Sequence, residues 1–258
     1  MAIEGWWSLF TAAISGGAAM KLADILYGEW REWRIERKGD SKSVEANLGP
    51  LLKAADELVG KLRSLAEQDF LPIHDIDSTE LDDVGFSSVV YLFVQFWANV
   101  ELIREKNLDG SLGRSAKGKQ LQSFLTCLES RRVRLMDRIS QRAAGEAALL
   151  EGRPLNFVEF IRNYDDDPYM RRWLKPLIQT LSKMDNPGER QHVLQYAVVL
   201  HALIDTLDQA HIITHERPAT PNKLTKKSWK ALNYRVFGVY LTFVSNTAKY
   251  IGPPKGRP

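Results

Sequence analysis

The stretch Ser87–Lys106 reads SSVVYLFVQFWANVELIREK and is apolar on nearly every side until Asn99. A helix with so little polar surface must be surrounded by other helices, because it has no face to offer to water. The sequence therefore predicts this helix at the centre of a helical domain. The preceding loop predicts its start at Ser87 or Ser88.

The segments on either side also have helical periodicity. Residues 51–70, LLKAADELVGKLRSLAEQDF, repeat leucines at three- and four-residue spacing and predict an amphipathic helix. Residues 121–149 predict one long helix or two short ones. A further helix starts with Asn186 as cap and Pro187 at its first position. The aromatic-rich segment 228–250 is compatible with helix or strand, and we assign it as helix. Strand signals are weak, so the predicted fold class is all-α, an N-terminal anchor helix followed by a multi-helix bundle.

Three stretches lack charge for long enough to raise the question of a membrane: Gly5–Met20, Val84–Val100 and Gln191–Ile204. A spanning helix needs roughly 20 apolar residues, so length does not decide among them. The first is distinguished by aromatic residues at both ends, which favour the membrane–water interfaces. The predicted interface residues are Trp6, Trp7, Tyr27, Trp30 and Trp33.

The flanks of this first stretch also predict an orientation. Glu4 is the one charged residue before it, whereas Arg31, Arg34, Arg37 and Lys38 follow it. Basic residues stay on the cytoplasmic side, so the body is expected in the cytoplasm and the localisation at the cell inner membrane. A soluble core helix and a helix lying on the membrane surface remain alternatives.

Charge is distributed unevenly along the 258 residues. The net charge is +3, yet residues 217–258 hold nine basic residues and no acidic one, so the rest carries −6. Such a segment indicates an anionic partner, either lipid headgroups or nucleic acid. We divide the chain into an anchor with its basic flank (1–38), a helical bundle (48–215) and a basic, aromatic C-terminal extension (216–258). The single cysteine, Cys127, excludes an internal disulfide.

Several segments, taken in order, resemble a widespread group of uncharacterised bacterial proteins. They are LLKAADELVGKLRSL with QDFL, VVYLFVQFWANVELIREK, SQRAAGEAAL followed by FVEFI, and LQYAVVLHALIDTLD. The resemblance covers roughly Trp6 to Asp208 and rests on patterned hydrophobic residues. It implies an N-terminal membrane-spanning segment before a helical cytoplasmic domain, and it implies no activity. The segment after Gln209 is additional to the group's pattern.

Two clusters are candidates for chemistry or binding. His201 and Asp205 lie four residues apart on one helix face, and His211 and His215 are again four apart, a spacing that can hold a metal ion. A buried polar network or a solvated face are the alternatives, and we predict neither a catalytic residue nor a cofactor. The second cluster is Arg131, Arg134 and Arg138, whose spacing predicts a stripe on one helix face that could bind phosphates; the alternative is a solvated or salt-bridged helix face. The lysines of the extension are a separate candidate for an anionic partner: Lys223, Lys226, Lys227 and Lys230.

No phosphate-binding glycine loop and no serine-elbow motif occurs in the sequence. We therefore predict a membrane-anchored interaction or effector module facing the cytoplasm, with a protein partner, contacts to anionic lipid and scope for self-association. The first alternative is a soluble helical nucleic-acid-binding protein. The second is a metal-dependent hydrolase or nuclease built on His201, Asp205 and His211.

Overall fold

The computed structural model describes residues 48–74, 81–106 and 111–253. The chain separates into two compact units, Met1–Ser43 and Val44–Pro258, and every described residue belongs to the second. The predicted anchor helix and its five interface aromatic residues therefore lie outside the described residues. We call the second unit the body.

The body is all-α, as the sequence predicts, with one two-residue β-hairpin. The first helix, α1, is described over residues 48–67. The other α-helices are α2 (Val84–Lys106), α3 (Ala116–Leu128), α4 (Arg138–Ala147), α5 (Phe157–Asp166), α6 (Pro168–Leu181), α7 (Pro187–Leu207), α8 (Lys226–Lys230) and α9 (Ala248–Ile251). A π-helix, Ala231–Phe237, continues α8, and 3₁₀ turns occupy Leu71–Ile73, Ser111–Arg114 and Pro221–Lys223. The hairpin pairs β1 (Leu149–Leu150) with β2 (Arg153–Pro154).

Helix α2 is the central helix that the sequence predicts. Within the part of the chain that the structure describes, it is the one helix long and apolar enough to cross a membrane, but 78% of its most apolar window is buried inside the body. The prediction of its start was wrong by one turn, because Asp83 rather than a serine caps it. The Asp83 carboxylate accepts a hydrogen bond from the Phe86 amide at 2.6 Å.

Helix α4 crosses α2 at very short range because Gly145 has no side chain. A Cβ atom at Gly145 would lie 2.9 Å from the carbonyl oxygen of Trp97 on α2. On the opposite side, Trp97 reaches α7, where its indole nitrogen donates to the hydroxyl of Tyr196 at 2.9 Å. The two apolar runs of the body, α2 and α7, are therefore core helices joined by a buried hydrogen bond.

Capping residues set several of the helix boundaries. Asn186 caps α7 by accepting from the Gly188 amide, and Pro187 occupies its first turn, as predicted. The segment 121–149 forms two helices rather than one, since a turn over residues 129–137 separates α3 from α4. Asp137 then caps α4 through hydrogen bonds from the Ile139 and Ser140 amides.

The C-terminal residues share the core of the helical bundle. Helix α8 and the π-helix bury Trp229, Leu232, Val236 and Phe237 in the same hydrophobic cluster as α1 to α7. The segment predicted as a single helix, 228–250, is helical to Phe237 and then turns before α9. Helix α9 contributes Tyr250 and Ile251 to the core, and Trp229 donates to the Gly252 carbonyl at 3.2 Å.

Candidate functional site

The structure brings three of the four sequence-predicted ligand candidates together around Asp205, at the carboxyl end of α7. The Nε2 atoms of His201 and His211 lie 3.8 Å and 3.6 Å from Asp205 Oδ1. Two residues that sequence reasoning missed complete the cluster. Lys249 Nζ lies 2.6 Å from Asp205 Oδ2, and the Tyr250 hydroxyl donates to the same oxygen at 3.0 Å.

The cluster is buried and tightly enclosed. His201 is 6% exposed, its ring meets the Tyr250 ring edge-to-face, and burial lowers its pKa although the Asp205 carboxylate opposes that effect. Burial and the Asp205 charge likewise raise the pKa of Tyr250. His201 Nε2 and Asp205 Oδ1 have no hydrogen-bond partner among the described groups. Lysine, tyrosine and histidine side chains around one carboxylate form a polar network that links α9 to α7.

The space beside His201 is too small for a substrate. The adjoining cavity measures about 30 Å³, enough for one or two water molecules, and is lined by Arg63 and Tyr250 among others. No group of three His, Cys, Asp or Glu side chains converges as a metal site within the described ranges. The contacts that are present, from Lys249 and Tyr250 to the Asp205 carboxylate, form a structural network that links α7 to α9.

His215, the fourth candidate, points to a different partner. Its Nδ1 lies 2.7 Å from Asp56 Oδ2 on α1, and Arg217 donates to both oxygens of the same carboxylate at 2.7 Å and 3.1 Å. Burial raises the pKa of Asp56, but the hydrogen bonds from Arg217 and His215 and the Arg217 charge outweigh it, so the net pKa lies below its ordinary value. This group ties the loop after α7 to the first helix of the body.

The loop between the two networks is held by Asp208. Its carboxylate accepts hydrogen bonds from the amides of Ile212, Ile213 and Thr214 and from the Thr214 hydroxyl, at 2.9 to 3.0 Å. Burial raises the pKa of Asp208, but these hydrogen bonds bring it below its ordinary value. The two aspartates at the end of α7 thus have different partners, since Asp208 organises the loop while Asp205 binds α9.

The arginine stripe does not exist as one helical face. Arg131 and Arg134 lie in the turn between α3 and α4, whereas Arg138 is on α4, so the prediction of a single face from residue spacing was wrong. Arg138 Nε lies 3.1 Å from Glu129 Oε2. Arg104 bridges Glu129 to the buried Glu101, to which Arg142 also pairs at 3.4 Å. Arg138 therefore belongs to an internal salt-bridge network. Whether Arg131 and Arg134 meet an anionic partner stays a prediction.

The basic residues of the C-terminal segment divide into two groups. Arg217, Lys223 and Lys249 pair with Asp56, Asp69 and Asp205 of the bundle. Within the described part of the chain, the other four are exposed and form no ion pair: Lys226, Lys227, Lys230 and Arg235. The exposed Tyr234 lies among them. Of the four predicted lysines, three remain available to an anion and Lys223 is used internally.

A hollow with room for a ligand lies elsewhere, along α6. It measures about 630 Å³, and its lining includes Leu81 and Asp82 on one side and Arg171, Arg172 and Lys175 of α6 on the other. A second hollow of about 400 Å³ adjoins it at Asp165. Its lining comes from α5 and combines three apolar residues, Phe157, Val158 and Ile161, with the charged Arg162, Asp165 and Asp166. The sequence signal for these hollows is weak, because RRWLK lies on an ordinary amphipathic helix whose environment only the fold supplies.

Comparison with known proteins adds no family to this description. The sequence matches no protein-family model, and no curated protein and no solved structure matches it significantly. The class that the described residues define is therefore an all-α body with an internal Asp205 network and an open groove along α5 and α6.

Proposed function

We propose that the protein is a membrane-anchored helical interaction module whose body faces the cytoplasm. The observation that carries the proposal is the N-terminal sequence. The uncharged run Gly5–Met20 begins with two tryptophans, three more aromatic residues follow it, and five basic residues lie between it and residue 38 whereas none precedes it. This pattern favours a single span with the amino terminus outside and the body inside.

The packing of the body supports the proposal by accounting for the two rival runs. Val84–Val100 lies within α2, and Gln191–Ile204 lies within α7. Both helices are largely buried, and Trp97 and Tyr196 join them. Their apolar character is therefore explained by the core, so Gly5–Met20 is the run for which a membrane remains the better explanation.

The exposed lysines of the C-terminal segment supply a second membrane contact in this proposal. Lys226, Lys227, Lys230 and Arg235 are exposed and lie within eight residues of Tyr234 in the sequence, and Tyr234 is 64% exposed. Each lysine or arginine near an anionic surface contributes about 1 kcal/mol, and tyrosine favours the interface. Four such residues would hold this face on the inner leaflet.

Membrane extraction tests the anchor. The full-length protein is expected in the membrane fraction and should resist alkaline carbonate, which strips proteins held by charge alone. A matched variant, Ala13→Arg with Ala18→Arg, places two charges in the run and should move the protein to the soluble fraction. A wild-type protein found wholly in the soluble fraction would end the proposal.

Nucleic acid is the second candidate partner, and the same four unpaired cations favour it. Its signature is binding to a duplex or single-stranded oligonucleotide that weakens steeply between 50 and 200 mM salt. The variant Lys226→Glu with Lys227→Glu should abolish that binding. No measurable binding at low salt would remove this candidate.

A further inference from the structure

The α5–α6 groove consists of the two adjoining hollows lined by α5, α6 and the residues just before α2. We propose that this groove is a docking surface for an acidic, amphipathic peptide segment of a protein partner. The inference rests on the proposed interaction function and names its partner class. Three features of the groove support it: the length of the groove, the unpaired cations of α6 and the apolar residues at one end.

The form of the groove follows from the two faces of α6. Met170, Leu174, Leu177 and Leu181 fill the core on one face. The next face, from Pro168 to Ser182, lines the hollow. At 1.5 Å per residue this face is about 21 Å long, which matches roughly six residues of extended peptide. An elongated groove of this length fits a chain segment better than a compact small molecule.

Within the described residues, the three cations that α6 supplies to the groove form no ion pair, and Arg172 lies 5.4 Å from the centre of the Trp173 ring. Helix α6 carries Arg171, Arg172 and Lys175 and no acidic residue. Some arginines of the body pair with carboxylates, as Arg104 does with Glu101 and Glu129. Among the described residues, none of the three α6 cations lies within ion-pair distance of a carboxylate. Their charge is therefore left for an anionic group from outside, and arginine binds carboxylates in two-point fashion.

The apolar part of the groove indicates that the partner carries apolar side chains next to its anionic group. Its floor contains the buried side chains of Leu81, Tyr164 and Ile178, and the adjoining hollow is lined by Val158 and Ile161 of α5. Val158 is 67% exposed. An exposed apolar surface next to unpaired arginines matches a segment that alternates acidic with aliphatic or aromatic side chains.

The acidic residues of the groove decide between a peptide and a nucleic acid. Asp82 lines the larger hollow, Asp166 the smaller, and Asp165 both. A continuous phosphate chain along the groove would meet these carboxylates with like charge. A peptide avoids this conflict, because it can place its own carboxylates on the α6 arginines and present amide N–H groups to the aspartates.

Selection from a displayed library of random 12-residue peptides tests the proposal, using the full-length protein in nanodiscs as bait. The expected result is enrichment of peptides with several Asp or Glu residues among apolar ones. Their affinity, measured by fluorescence anisotropy, should fall at least tenfold in Arg171→Glu with Lys175→Glu. It should stay within twofold in the matched charge change Lys117→Glu with Lys119→Glu on α3.

Three outcomes would overturn the inference: no enrichment, enrichment of basic sequences, or acidic peptides whose affinity is indifferent to the α6 variant. Oligonucleotide binding that the α6 variant abolishes would also contradict it. Circular dichroism and thermal unfolding of each variant exclude misfolding as the cause, and Arg171→Lys should retain most of the binding. These variants should leave membrane extraction unchanged. The peptide-binding proposal and the membrane-anchor proposal are therefore tested independently.

Discussion

The indole nitrogen of Trp97 donates a hydrogen bond to the hydroxyl of Tyr196 at 2.9 Å, across 99 residues of sequence. Both groups are buried where α2 meets α7, and burial raises the pKa of Tyr196. Each side chain thus places one polar group in the core, and the hydrogen bond between them gives both polar groups a partner. Phe93 of α2 also meets the Tyr196 ring edge-to-face, so aromatic side chains connect the two helices at this point.

The variant Tyr196→Phe should cost about 1–3 kcal/mol in the free energy of unfolding, because it leaves the Trp97 N–H buried without a partner. Urea unfolding of the purified protein measures the change. Tyr234→Phe is the matched control, since Tyr234 is exposed, and should change stability by less than about 0.5 kcal/mol. Equal stability of the two variants would contradict a hydrogen-bonded α2–α7 contact.

The close crossing of α2 and α4 predicts that Gly145→Ala destabilises the body. The added Cβ would lie 2.9 Å from the Trp97 carbonyl oxygen, so one helix must move, at a cost of about 1–3 kcal/mol. At Gly113 a Cβ meets no atom within 4 Å, and Gly113→Ala should be nearly neutral. Thermal unfolding compares the two variants, and a neutral Gly145→Ala would show that the helices are not packed at this distance.

The Asp56 network predicts a dependence of stability on acid. Because the folded-state pKa of Asp56 lies below its unfolded value of about 3.9, its contribution is complete above that value and is lost as the pH falls towards the folded pKa. Asp56→Asn should therefore be clearly less stable than wild type at pH 6 and approach it near pH 3. Urea midpoints across this range measure the difference, with Asp185→Asn as an exposed control. A difference that is constant with pH would rule out the ionised network.

His201 should titrate below an ordinary histidine. Burial lowers its pKa, so the stability that the neutral ring supplies is present above the unfolded value of about 6.5 and is lost as the pH falls through the folded value. A carbon-detected NMR titration, assigned with His201→Gln, reads the midpoint directly. A midpoint at or above 6.5 would mean that the ring is solvated or permanently paired with Asp205.

The sequence alone predicts those features that depend on local patterns. The periodicity of residues 51–70, the apolar run of α2 and the Asn186–Pro187 start of α7 each follow from neighbouring residues, and the structure confirms them. Where a local pattern is compatible with two structures, the sequence does not decide between them. The turn at 129–137 interrupts a helical pattern, and the Asp137 cap that restarts the helix is one of two acidic residues in that turn.

The networks depend on contacts between distant residues, which periodicity does not contain. Asp56 meets Arg217 across 161 residues, and Asp205 meets Tyr250 across 45. Spacing along α7 brought His201 and Asp205 together correctly, but it gave no means of finding Lys249 on a separate helix. The sequence did not predict the groove for the same reason, since its walls come from three segments that only the fold places side by side.

Cysteine labelling tests the central claim, an anchored body with its amino terminus outside. Cys127 is buried and burial raises the pKa of its thiol to about 12, so the native cysteine should stay unlabelled. With a membrane-impermeant maleimide on intact bacterial spheroplasts, Ala2→Cys should be labelled at once and Ser43→Cys only after permeabilisation. If Ala2→Cys requires permeabilisation as Ser43→Cys does, the chain does not cross the membrane at Gly5–Met20, and the anchored orientation is wrong.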